Sequence, residues 1–347
     1  MQNLLYIYSI LYVYICHSIS CGVSERFLHE ISSNTNMETA STNILLCSVV
    51  FKFIAMLVGL LGNATVLIQI IFFSKEKSAT SYLVANLAVA DFLACVTFYP
   101  TWIIEFLQTI MNKETDQHLF CMFSRSSIWS FLFASVATLL AITLDRYVYI
   151  VKPLKYHMIV TRGRVFKVIS TIWFLVCLIF VAQTFLWKIS PAFRSACTLP
   201  TDIIGIMVEL SFSYIPLIFI FILHFRMLKV AREQQKRILA ESKRGKVNAE
   251  RRDGSHRIFH AFKMARTFLI VVAVLSFCVF TPTIIAFTLR LVCDKSSVRL
   301  WFVVFHYEFY GLNSIVNAFI YGMRHSKYRK VYGRILLKIF LCKNPTY

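Results

Sequence analysis

Asp145-Arg146-Tyr147 closes a long apolar stretch, Ile128 to Leu144, and leads into a segment carrying Lys152 and Lys155. An arginine between an acid and an aromatic at the end of an apolar helix is a charge in search of a partner. Its chemistry is the making and breaking of ion pairs, not of covalent bonds. A second charge, Asp91, lies inside the run Leu87-Ala88-Val89-Ala90-Asp91. A carboxylate in such surroundings needs hydrogen-bond donors or a cation, because an isolated buried charge is expensive.

The elements that position these residues follow from composition. The 347 residues are 58% hydrophobic and 16% charged, with a mean hydropathy of +0.65, too apolar for a soluble core to absorb. Runs long enough to cross a bilayer as helices occupy about 44–73, 82–110, 122–151, 165–187, 203–227, 266–291 and 300–322. They are far longer than barrel strands, so the spans are helical. The predicted fold is an all-α membrane protein, a seven-helix bundle over 44–322.

The formal net charge of +20 is distributed by topology. Lys75 and Lys77 follow the first run, Lys152 to Lys167 the third, and a dense series from Arg226 to Arg266 the fifth. Arg324 to Lys343 carry the tail, whereas 111–120, 188–202 and 292–299 hold few cations. The positive-inside rule then places the N-terminus outside and the C-terminus in the cytoplasm. A basic stripe spread over alternate loops is what topology alone requires, so nucleic acid is not an expected partner.

Residues 1–43 form an extracellular N-terminus. The apolar run Leu4–Ile15, with Ser18 and Ser20 behind it, has the form of a signal peptide over 1–20 but lacks a basic start; translation from Met37 is the alternative. Residues 323–347 form a cytoplasmic tail. Within it Tyr328, Val331, Tyr332, Ile335, Leu336 and Ile339 recur at helical spacing among Lys and Arg, which predicts a short amphipathic eighth helix on the membrane surface. Cys342 at its end is either a palmitoylation site or a free thiol.

Seven spans with an acid-Arg-aromatic triplet closing the third resemble the rhodopsin-like (class A) G-protein-coupled receptors over roughly 44–342. Trp173, Pro216 and Pro282 fall at that family's landmarks. The resemblance implies a receptor that converts binding of an extracellular small-molecule or peptide ligand into activation of a heterotrimeric G protein at the plasma membrane. It implies no enzymatic activity and no required cofactor. Arg146 would contact the G protein, with His224 and Tyr321 stabilising the open state. The family's second-helix aspartate corresponds to Asp91, and its polar neighbours to Asn63, Ser135, Asn313, Ser314 and Asn317. That set would either enclose a sodium ion as an allosteric modulator, oxygen ligands suiting a hard cation, or form a metal-free hydrogen-bonded cluster. The family's disulfide corresponds to Cys121 and Cys197; Cys293 would pair with Cys21 or stay free.

Four switch positions depart from the family pattern. Phe280, in Phe277-Cys278-Val279-Phe280-Thr281-Pro282, stands where many relatives carry Trp. Ala318 replaces the proline in Asn317-Ala318-Phe319-Ile320-Tyr321, and His224 takes the place of a customary Tyr. Phe262 holds the position of an acid that often pairs with the third-helix arginine, leaving Asp145 as the expected resting partner of Arg146.

The ligand is narrowed by elimination. Opsins carry their retinal lysine where this chain has Gly311, and aminergic receptors their acid where it has Ile128. Pro153-Leu154-Lys155-Tyr156-His157 and Asn313-Ser314-Ile315-Val316-Asn317 look most like adenosine and melanocortin receptors, although Phe287 replaces the asparagine of the adenosine branch. By register Trp102, Glu105, Trp129, Glu209, Phe280, Thr283, Ile284, Phe287, His306, Tyr307 and Tyr310 face the pocket. Aromatic walls and two acids suit a ligand with an apolar body and a positive group. A receptor active without agonist is the alternative within the family. A transporter is the alternative outside it, but internal repeats and broken helices are not seen.

Overall fold

The computed structural model describes residues 35–74, 78–111, 113, 117–189, 214–243, 266–285, 307–324 and 333. Helix α1 spans Thr35–Ile68 and ends in the π-turn Gln69–Phe73. Then come α2 (Ala79–Ile110), α3 (Gln117–Val151), α4 (Arg162–Ile189), α5 (Ile215–Lys243), α6 (Arg266–Ile285) and α7 (Tyr307–Arg324).

Among the described residues, five stretches are long and apolar enough to cross a bilayer: Leu45–Phe73, Ala79–Ile110, Met122–Val151, Arg162–Leu186 and Arg266–Ile285. They coincide with five of the predicted runs as far as the described residues extend. The described part of α5 passes from apolar Ile215–Phe225 into a basic segment, and the apolar part of α7 is Gly311–Ile320. The eighth helix, residues 1–34 and the basic stretch 244–265 lie outside the described residues.

Burial shows how the helices are laid. On α1 and α4 the large residues Phe51, Ile54, Val58, Phe174, Val181 and Phe185 are exposed. Such apolar belts are costly in water and free in lipid. Helix α3 is central, packing on α2, α4, α5 and α7, while α7 also packs on α1 and α2. The interior is filled by Leu87, Leu139, Ile142, Leu217, Phe268 and Val272, all essentially inaccessible.

Local chemistry fixes the joints. Ser78 caps α2 by accepting from the Ser81 amide at 3.2 Å, satisfying one of the free N–H groups at a helix start. Pro100 interrupts the ladder of α2, and flanking Thr97 and Thr101 donate their hydroxyls back to main-chain carbonyls of the previous turn. Trp173 of α4 donates from Nε1 to Asn86 Oδ1 at 2.8 Å, and Asn86 Nδ2 donates to Thr138 Oγ1 at 2.8 Å. One chain of bonds thus ties α4 to α2 and α3 without leaving a buried amide unpaired. At Gly59 a Cβ would lie 2.5 Å from Cys95 Sγ, so only glycine permits this approach of α1 to α2.

Candidate functional site

Asp145 and Arg146 sit at the end of α3 where α2 begins. Asp145 is the hub. Its Oδ2 accepts from Arg146 Nε at 2.9 Å, from Arg146 Nη2 at 2.6 Å and from Thr80 Oγ1 at 2.6 Å. Its Oδ1 accepts from the Tyr156 hydroxyl at 2.8 Å. Arg146 Nη2 also contacts Thr80 Oγ1, and the guanidinium stacks over the Tyr149 ring with Cζ 5.3 Å from its centroid. Tyr149 in turn meets Tyr156 edge-on at 5.0 Å.

The expectation that Asp145 alone restrains Arg146 is therefore corrected. Thr80 and Tyr149 share the work, and Tyr156 steadies the acid. These helpers escaped sequence reading because they come from the start of α2, the next turn of α3 and the single helical turn Tyr156–Ile159 that folds back beneath it. Arg146 is only 9% exposed, so the charge is withheld from the surface. Burial, followed by the adjacent Asp145 carboxylate, pushes the Tyr156 hydroxyl up to about 12, so it remains a donor at neutral pH. Tyr147 points elsewhere, packing with Ile150 and Met227 across α3 and α5.

His224 of α5 is buried, with Nδ1 3.0 Å from the Ile220 carbonyl. That contact makes Nδ1 the N–H donor and leaves Nε2 as an acceptor with no partner among the described residues.

Midway along the bundle Asp91 is wholly buried, accepting from Ser135 Oγ at Oδ1 and from Asn317 Nδ2 at Oδ2, both at 2.8 Å. Asn63 donates to the carbonyls of Gly59 and Ser314 at 2.9 and 2.8 Å. Ser314 and Asn313 are buried beside them. The predicted polar set thus comes together, with a single carboxylate and an array of hydroxyl and amide oxygens.

Beyond Asp91, away from Arg146, Phe280 of α6 stacks on Tyr214 at 4.6 Å and 23°. Tyr214 donates to Thr283 Oγ1 at 2.7 Å. Tyr214 was not foreseen; its stacking partner Phe280 is one of the predicted pocket aromatics. Pro282 is buried at this level and Ile128 lies in the core, with Trp129 packed against it. Trp102 is in the core and Glu105 is half-buried, its Oε2 enclosed and lacking a hydrogen-bond partner among the described residues.

A second ion pair was also missed. Lys52 of α1, 1% exposed, contacts Glu308 Oε1 of α7. The rule that singled out Asp91 applies equally to a lysine in the first apolar run and a glutamate in the seventh.

Residues 62–321 match the family model for the 7 transmembrane receptor (rhodopsin family). The chain belongs to this family. Among its relatives, the receptor is 28% identical to the alpha-1A adrenergic receptor of Cavia porcellus, over 63% of this chain and 47% of that one. It is 26% identical to the GQ-coupled rhodopsin of Mizuhopecten yessoensis over 83% and 59%, and 24% identical to the adenosine receptor A3 of Ovis aries over 88% and 96%. The alignments span about half the length of the adrenergic relatives.

Several predicted positions fall elsewhere. Glu209, Phe287, His306, Phe262, Cys197 and Cys342 lie outside the described residues. Cys121, Tyr307, Tyr310 and Tyr321 lie on described helices, α3 for the first and α7 for the others, but their side chains are outside the description.

Proposed function

We propose that this multi-pass membrane protein is a G-protein-coupled receptor of the plasma membrane, with its N-terminus outside and its Arg146 end in the cytoplasm. An extracellular small-molecule or peptide ligand shifts the bundle toward a state in which Arg146 leaves Asp145 and receives a heterotrimeric G protein. Such a shift requires only that ligand and G protein favour the same state. The observation that carries the reading is the bonded enclosure of Arg146 by Asp145, Thr80 and Tyr149. It is a cation fully provided for at rest and releasable as a unit.

The relatives divide by name into adrenergic and adenosine receptors and a rhodopsin, and the geometry speaks to the last of these. At Gly311 a Cβ would lie 2.8 Å from the Tyr99 hydroxyl and 2.9 Å from Phe98 Cε1. A lysine there has no room to leave the helix, which argues against retinal attachment at that position. Ile128 at the amine-binding place argues against aminergic recognition. The unpartnered Glu105 Oε2 is an acceptor suited to a donor group on the ligand.

Asp91 with Ser135, Asn313, Ser314 and Asn317 would hold a sodium ion as modulator, the hydroxyl and amide oxygens turning toward the cation in place of the O–H of Ser135 and the N–H of Asn317 that now donate to the acid. A Cys121–Cys197 disulfide and palmitoylation of Cys342 belong to the same reading. The test is a ligand panel read by activation sensors for each G-protein class, in cells expressing the receptor or Arg146→Ala. Activation lost in Arg146→Ala is expected; a response that survives the substitution in full would overturn the assignment.

A further inference from the structure

Thr80 and Phe106 lie toward opposite ends of α2, so the contacts around Phe106 belong to the end of the bundle away from Arg146. There the Lys52 ammonium is provided for on every side. It donates to Ser48 Oγ at 2.8 Å, pairs with Glu308 Oε1, and sits 4.3 Å from the centroid of the Phe106 ring and 5.9 Å from that of Trp102. An ammonium has three donors and no acceptor; here two donors meet oxygen and the remaining side meets an aromatic face. A carboxylate flanked by aromatic faces is the arrangement by which proteins bind ammonium ligands.

Glu308 differs from a simple structural partner. Its second oxygen, Oε2, is buried without a hydrogen-bond partner among the described residues. So is the hydroxyl of Tyr99, which lies against Gly311 one turn along α7 from Glu308. Ion pairs that serve stability alone need their remaining lone pairs satisfied. An open acceptor beside an occupied one is a site with capacity to spare.

We propose that Glu308, Phe106, Trp102 and Ser48 form an ammonium-binding cage between α1, α2 and α7 that Lys52 fills from within, and that a primary alkylammonium ion binds there when the lysine is shortened. In the receptor reading, on which this clause rests, a cationic ligand gains the cage only by expelling Lys52. The ligand therefore meets this corner through neutral or anionic groups.

Lys52→Ala removes Cγ, Cδ, Cε and Nζ, the heavy atoms of n-propylammonium. In the full-length Lys52→Ala receptor in lipid nanodiscs, n-propylammonium chloride should raise Tm saturably by roughly 2–4 °C. Sodium chloride and n-propanol should not, and neither wild type nor Lys52→Ala/Glu308→Gln should respond. An equal rise with n-propanol, an equal rise in wild type, or an unmoved Tm in folded Lys52→Ala would each overturn the cage. Should Lys52→Ala fail to accumulate, Lys52→Met, Glu308→Gln and their double variant close a thermodynamic cycle. The double variant is expected to be more stable than Glu308→Gln alone, and additive losses would overturn the pairing. None of these measurements needs a G protein. A receptor that signals without binding alkylammonium defeats the cage alone, whereas binding without signalling defeats only the receptor reading.

Discussion

Tyr156 donates its hydroxyl to Asp145 Oδ1 at 2.8 Å, while the other oxygen of the same carboxylate is committed to Arg146 and Thr80. One acid is thereby braced by Tyr156 on one side and bonded to the Arg146 guanidinium on the other. The same hydroxyl also interacts with the Arg146 guanidinium, so removing it acts on both members of the pair.

Tyr156→Phe should raise basal G-protein activation. Loss of one hydrogen bond to a buried carboxylate is worth about 1 kcal/mol of resting-state preference, roughly a fivefold shift in a two-state balance. Thr80→Ala should act in the same direction, since it removes a donor to Asp145 and a neighbour of Arg146. Nucleotide exchange without ligand, at matched surface expression, checks both. Basal rates equal to wild type in the two variants would show that Arg146 is held by other means.

The same bond should be insensitive to pH in the ordinary range. Tyrosine ionises near 10 when free, and in the folded receptor Tyr156 is raised to about 12. A raised folded value means the contribution is complete below about 10 and disappears only as pH climbs through about 12. Any change in basal activation between pH 6 and pH 9 should therefore be identical in wild type and Tyr156→Phe. A pH response present in one and absent in the other would contradict this assignment.

Much of this arrangement could be read from the chain. Apolar runs of membrane length gave the spans because lipid leaves the backbone no other conformation. Asp91 and its hydroxyl and amide neighbours were legible because an acid in such a run must be answered from nearby helices. The bracing of Asp145 was not, since Thr80 and Tyr156 are ordinary residues whose meaning arises only when the start of α2 and the turn after α3 close around the acid. Lys52 and Glu308 stand between these cases. Each announced itself as a charge in an apolar run, but their pairing depends on α1 and α7, far apart in sequence, lying side by side.

Trp173→Phe should cost stability. The indole N–H is the donor to Asn86 Oδ1 in the interior, and phenylalanine keeps most of the ring while stranding that oxygen. An unmet buried acceptor costs about 1–3 kcal/mol, so Tm should fall by several degrees in nanodiscs. Trp173→Phe combined with Asn86→Leu should lose less than the two single changes added together, because the acceptor is gone with its donor. Strict additivity would mean the two side chains do not interact.

Gly311→Ala should lower surface expression and Tm. The added Cβ meets the Tyr99 hydroxyl and Phe98 ring at under 3 Å, and overpacking of this kind costs about 1–3 kcal/mol. Tyr99→Phe in the Gly311→Ala background removes the nearer atom and should recover part of the loss. If Gly311→Ala is as stable as wild type, α2 and α7 are not in the contact described, and the steric case against a lysine at this position fails with it.

Asp91→Asn should abolish the negative effect of sodium on agonist affinity. Among the described residues the carboxylate is the only charge in the cluster, and its oxygens are already oriented by Ser135 and Asn317. A neutral amide leaves oxygens of the right hardness but no charge to offset dehydration of the ion. The substitution also places an NH2 group where Asp91 had an acceptor, so one of the donors from Ser135 or Asn317 loses its partner and some destabilisation is expected in sodium-free buffer as well. The two effects separate by titration: agonist affinity is measured across sodium concentrations at constant ionic strength, with N-methylglucamine as the replacing cation. A wild-type curve that falls with sodium beside a flat mutant curve places the ion at Asp91. Parallel falling curves would put it elsewhere and leave the cluster as a hydrogen-bonded knot between α1, α2, α3 and α7.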